Sequence, residues 1–202
     1  RDLDKEYRLQ RQMCIRDRLF NILSFCVGQR KVFSKSFTYA SIMHFLLGWG
    51  FIELFFATTI DFFTARGWFQ NYLPGFDTPW FAALNDTGGI MLVGGIWMAL
   101  WRRNIKKPDE LPHTNISGRG NFLGDTGILV FLLIVGIGGF LTEADRLSVE
   151  KPKNAMYSYI GFAISNLLPI ETWAILKPSL WWSHAVASLI FIAIIPLTKM
   201  HH

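Results

Sequence analysis

Four long apolar runs punctuate this chain, separated by polar stretches rich in turn-forming residues. They cover Phe37–Phe63, Thr87–Trp101, Gly124–Thr142 and Trp181–Lys199. About 20 consecutive apolar residues span the roughly 30 Å hydrocarbon core of a bilayer as a helix. The second run is short, and Trp80 and Phe81 upstream extend it. Trp68, Trp80, Trp101, Trp181 and Trp182 fall at run ends, as aromatic belts do. The pattern predicts an all-α, integral membrane four-helix bundle with four transmembrane spans. Leu19–Val27 is apolar but too short to cross, and with the following GQRKVFSKSF it is expected on the inner membrane surface.

The intervening stretches read as loops. Residues 66–86 carry Pro74-Gly75 and Pro79 as turn signals, with Asn85, Asp86 and Thr87 as N-cap candidates for the second span. Arg102–Leu123 is a polar loop broken by Pro108 and Pro112, and Asp125 is a candidate cap for the third span. Glu143–Leu180 is the longest loop. Within it Tyr157–Leu168 is expected as a helix along or dipping into the membrane face, ended by Pro169.

Composition sharpens this picture. Hydrophobic residues make up 51% of the chain and charged residues 17%, with a net charge of +5. The basic residues divide by side. Arg18, Arg30, Lys31, Lys35, Arg102, Arg103, Lys106, Lys107, Arg119 and Lys199 fall on one, against Arg66, Arg146, Lys151, Lys153 and Lys177 on the other. The positive-inside rule puts the larger group in the cytoplasm, in a cytoplasmic (inner) membrane. That topology accounts for the basic charge without a nucleic-acid partner. Cys14 and Cys26 have no metal-ligand spacing, so any iron–sulfur cluster is expected in a missing domain or a partner subunit. Met13–Arg18 reads MCIRDR, which resembles a translated sequencing adapter. Residues 1–18 are therefore taken as artefact or disordered lead-in. Residues 19–202 are taken as a membrane domain truncated at both ends.

The candidate chemistry lies in histidines. His184 and His202 are eighteen residues apart, five helical turns and about 27 Å of rise, and so share a face. Imidazole is a common axial ligand of haem iron. Interfacial histidines snorkelling into the headgroups are the bland alternative. His44, near the inner end of the first span, would meet His202 on an antiparallel fourth span. Gly48, one turn on, leaves room for a macrocycle. Pro196 would kink the fourth helix, and His201 lies about 100° off the His202 face.

The stretches FCVGQRKVFSKSFTYASIMHFLLGWGF, DTGILVFLLIVGIGGFLTEADRL and LWWSHAVASLIFIAIIPLTKMHH resemble the membrane domain of nitrate-reductase-gamma-like proteins. The likeness is closest to the version associated with heterodisulfide-reductase-like iron–sulfur subunits, and it covers Leu19–His202. It implies b-type haem held in a helical bundle, and electron passage between membrane quinone and a cytoplasmic iron–sulfur domain or subunit. It further implies His44, His184 and His202 as axial ligands. The family's second histidine in the early span falls here near Leu54, which cannot ligate. At most one six-coordinate bis-imidazole haem, held by His44 and His202, is thus expected; an outer haem at His184 would be absent, five-coordinate or bound by a non-histidine ligand, unless His113 or a partner chain supplied the fourth imidazole.

Other polar groups have two readings each. Glu53, mid-span, would move protons during quinol oxidation or simply sit in a helix contact. Glu143, Asp145 and Arg146 would line a quinone site beside His184 or form a solvated interfacial cluster. Gly88, Gly89, Gly94, Gly95, Gly136, Gly138 and Gly139 suit close helix packing. Met43 and Met91 read as packing rather than iron ligands. The chain is expected to be an electron-transfer module, not a complete enzyme. The alternative is a haem-free multi-span anchor for a soluble partner. A small transporter is disfavoured by the lack of paired, broken spans.

Overall fold

The structure is a computed structural model, and it describes residues 38–69, 72–106 and 125–194. The expectations for residues 1–18, Leu19–Val27, Pro108, Pro112, His113, Pro196, His201 and His202 fall outside the described residues. Two compact units divide the chain, Arg1–Phe45 and Leu46–His202. In the first, the opening turns of a helix carry His44 with its side chain exposed. The remainder concerns the second.

All regular structure among the described residues is helical. Helix α1 runs Thr38–Ala65, 28 residues and about 42 Å. Helix α2 runs Pro79–Trp101 and widens at its end into a π-helical turn, Arg102–Lys106. Helix α3 spans Asp125–Glu150. A 3₁₀ turn, Ala155–Tyr157, leads to the short helix α4, Tyr159–Ser165, and then to α5, Ile170–Ile194. Four of these, α1, α2, α3 and α5, are long and apolar enough to cross a membrane, as the hydrophobic pattern predicts. Trp97, Phe56, Ile134, Ile175 and Leu189 point outward from them, more than half exposed, where a lipid-facing surface needs apolar groups.

The boundaries depart from the sequence pattern in three places. Helix α2 starts at Pro79, not at the Asn85–Thr87 cap. Proline fixes φ for the first helical position, and Thr78 precedes it in extended conformation. Asp86 and Thr87 are therefore inside the helix. Helix α3 continues to Glu150, so Glu143, Asp145 and Arg146 are helical rather than in a loop. Its end is set by Lys151, left-handed at φ 48°, whose N–H still bonds the Leu147 carbonyl.

The largest departure is the last span, which begins at Ile170 instead of Trp181 and runs through Pro178. The helix expected over Tyr157–Leu168 is shorter, Tyr159–Ser165, and ends at Asn166 before Pro169 is reached; Pro169 instead starts α5, its carbonyl accepting from the N–H groups of Thr172 and Trp173. Trp173 then anchors this first turn. Its ring is buried and its Nε1–H donates to the Ser165 carbonyl at 3.0 Å. The helix then runs on through Pro178, which can donate no backbone hydrogen bond.

Leu92 and Ile96 of α2, Ile128 and Leu132 of α3, and Phe191 of α5 form the core. Phe51 of α1 and Phe131 of α3 meet the Phe191 ring at 6.0 and 6.1 Å. Small residues set the spacing of α1 and α2. A Cβ on Gly50 would come within 2.8 Å of the Gly88 carbonyl, and one on Gly95 within 2.8 Å of the Leu47 nitrogen. The two backbones touch there, as membrane helices do at small residues.

Candidate functional site: a histidine-lined cavity between the helices

Between α1, α2, α3 and α5 lies a cavity of about 680 Å³. That is within the roughly 300–1,000 Å³ of ligand and cofactor pockets. Phe51, Leu54, Leu132 and Phe191 supply apolar wall, and Thr58, Asp61, Asp86, Glu143, Arg146 and Lys177 supply polar wall. His184 also lines it, fourteen residues inside α5 rather than at a span end. Trp181 and Trp182, expected as end markers, are likewise internal to α5.

Glycines shape the surroundings of His184. The ring lies against Gly138 and Gly139 of α3, where an added Cβ would stand 3.2 Å from Nδ1 and 3.5 Å from Cε1 respectively. Nδ1 is buried and has no well-formed hydrogen bond among the described residues, and the Val135 backbone lies beside the ring. A buried polar atom without a partner costs about 1–3 kcal/mol, so such atoms mark places where a partner belongs.

The polar wall is tied together further along α3. Arg146 grips Glu143 with two bonds, Nε and Nη2 each donating at 3.0 Å to a separate carboxylate oxygen. Its Nη1 donates to Asp77 at 2.9 Å. The Ser158 hydroxyl donates to Glu143 at 2.8 Å. Of the three charged residues singled out in sequence, Glu143 and Arg146 are thus paired with each other. The pair clamps the loop before α2 and the turn before α4 onto the top of α3. Asp145 is buried and also lines the cavity, and its Oδ1 has no hydrogen-bond partner among the described residues. Lys177 pairs with Glu150 at 2.9 Å, tying α5 to α3.

Asp86 is the residue that sequence reasoning misassigned. It is buried, lines the cavity, and accepts the Ile160 backbone N–H at 2.6 Å. It therefore caps α4 from another helix instead of starting its own. Next to it, the Thr87 hydroxyl lies 2.9 Å from the Tyr159 hydroxyl. A carboxylate inside an apolar run was the available signal.

Glu53 does not line the cavity. It lies in the notch that Gly88 leaves on α2, where any Cβ would overlap its carboxyl group. Both its oxygens are buried and lack hydrogen-bond partners among the described residues. Gly48 is half-buried on α1, one turn after His44. Leu54 and His184 line the same cavity.

Comparison with known proteins gives one curated relative of note, the "EtfAB:quinone oxidoreductase" of Syntrophomonas wolfei subsp. wolfei (strain DSM 2245B / Goettingen). It is 24% identical over 201 residues, which cover 93% of this chain and 27% of the relative. This chain thus spans about a quarter of that relative's length. No family model matches the chain, and no solved structure matches it significantly. The chain is an all-α, multi-pass membrane module similar in sequence to part of a quinone oxidoreductase.

Proposed function

We propose that this chain is the haem b membrane domain of a quinone-linked oxidoreductase, carrying electrons between membrane quinone and an iron–sulfur domain or subunit on the cytoplasmic side. The observation that carries the reading is the likeness, over nearly the whole chain, to a protein named a quinone oxidoreductase. The apolar four-helix arrangement and its internal cavity support it. Conversion of a quinone to its quinol takes up two electrons and two protons. The membrane domain must therefore bring an electron path and proton-bearing groups to one place.

In this reading His44 and His202 hold the haem, as the resemblance to nitrate-reductase-gamma-like domains implies. A bis-imidazole haem passes single electrons by cycling between ferric and ferrous iron. The chain supplies ligation, burial and orientation. A second such haem at His184 does not fit the described residues. The cavity there offers one imidazole and no second imidazole, thiolate or thioether, and Leu54 is on its wall.

The test is spectroscopic, on the full-length protein in membranes. Dithionite reduction should develop a low-spin b-type haem spectrum, and a quinol should reduce the same haem. His44→Ala and His202→Ala should each abolish the low-spin signal. Absence of haem from the wild type would leave the alternative, a haem-free membrane anchor.

A further inference from the structure

We propose that Glu53 is a proton-binding site inside the bundle: its carboxyl holds a proton in the notch at Gly88 and exchanges it with water only when α1 and α2 part. The inference stands on the contact between those two helices and needs neither the haem nor the quinone reading above.

Glu53 lies near the middle of α1, in a stretch long and apolar enough to cross a membrane. Both its carboxyl oxygens are buried, and neither has a hydrogen-bond partner among the described residues. The group fills the space that Gly88 leaves on α2, where an added Cβ would overlap it. Three residues earlier on α1, Gly50 brings backbone against backbone, with the Leu92 nitrogen and the Gly88 carbonyl nearest to an added Cβ. The two helices thus close over the carboxyl, and water does not reach its oxygens while they touch.

No cation compensates a charge there. On α1, His44 and Asp61 are each more than two turns away. On α2 the ionisable residue is Asp86, which is bound to the Ile160 N–H. Helix α3 has no ionisable residue between Asp125 and Glu143, and Glu143 is held by Arg146. On α5, His184 packs against Gly138 and Gly139, and Lys177 pairs with Glu150. A carboxylate anion buried without a cation or a donor is among the least favourable groups in a membrane interior. Protonation removes the charge and leaves a hydroxyl and a carbonyl, which are far easier to bury. A side chain without an acidic proton, such as Gln or Met, would fill the notch as well. What the carboxyl adds is a proton that can leave. Its release creates an anion that must meet water, so loss of the proton and opening of the α1–α2 contact go together.

The test is infrared spectroscopy of the full-length protein in nanodiscs at neutral pH. The wild type should show the C=O stretch of a neutral carboxylic acid, and Glu53→Gln should lack it while keeping its unfolding temperature. If the amide variant does not fold, Glu53→Asp reads the same band by shifting it. On transfer to heavy water the band should move slowly in the wild type. In Gly50→Ala, which loosens the contact and leaves the carboxyl in place, it should move about tenfold faster or more. A wild-type spectrum that loses a carboxylate band instead, on replacement of Glu53, would overturn the inference, because the group would then be charged. Equal exchange rates in the wild type and Gly50→Ala would overturn the gating by α1 and α2.

Discussion

At the scale of single residues, two glycines on facing helices do different work. Gly50 meets backbone: the nearest atoms to an added Cβ are the Leu92 nitrogen and the Gly88 carbonyl. Neither can move without parting α1 from α2. Gly50→Ala should therefore cost about 1–3 kcal/mol, the range of core overpacking, read as a lowered unfolding temperature in detergent. Gly88 meets the end of a side chain, the Glu53 carboxyl. Gly88→Ala should destabilise alone, but Glu53→Ala should remove most of that penalty. A double-mutant cycle on thermal unfolding measures it, and additive effects would refute the pairing. Gly88 was legible in sequence as a packing residue, whereas Gly50 was not singled out, and Gly94, which was, has nothing within 4 Å of an added Cβ. Which glycine housed Glu53 was not legible, because that depends on the register of α1 against α2.

At the scale of elements, the short helix α4 depends on bonds from outside itself. Asp86 accepts the Ile160 N–H, and the Tyr159 hydroxyl meets Thr87. Asp86→Ala should cost about 0.5–2 kcal/mol, as loss of a helix cap does. Amide exchange should quicken at residues 159–165 while the core of α3 stays protected. The apolar run before Pro169 made a helix in this region legible. Its capping partner lay in a different span and was invisible to local reading. The late start assigned to the last span has a similar cause. Lys177 and Pro178 look like a loop locally, yet Lys177 is neutralised by Glu150, and the buried Trp173 secures the turns before them.

At the scale of the whole molecule, the number and nature of the spans were legible, because twenty apolar residues in a row have few other solutions. The cavity was not, since its walls come from four separate helices. Orientation remains a prediction of the basic-residue asymmetry. A cysteine replacing Lys151 should react with a membrane-impermeant reagent added from outside, and one replacing Lys106 should not. The opposite pattern would invert the topology.

The bond between Asp86 and Ile160 joins residues 74 positions apart, and this gives it a meaning in time. During synthesis α2 is made long before α4. Until residues 159–160 emerge, the helix carries a carboxylate whose backbone partner does not yet exist. The Asp86 carboxylate is thus expected to gain its backbone partner only when the later segment arrives. A nascent chain halted before Ile160 should leave α2 more accessible to aqueous reagents than the same helix in the finished protein. Assembly of this bundle then has a direction, and a later element locks an early one.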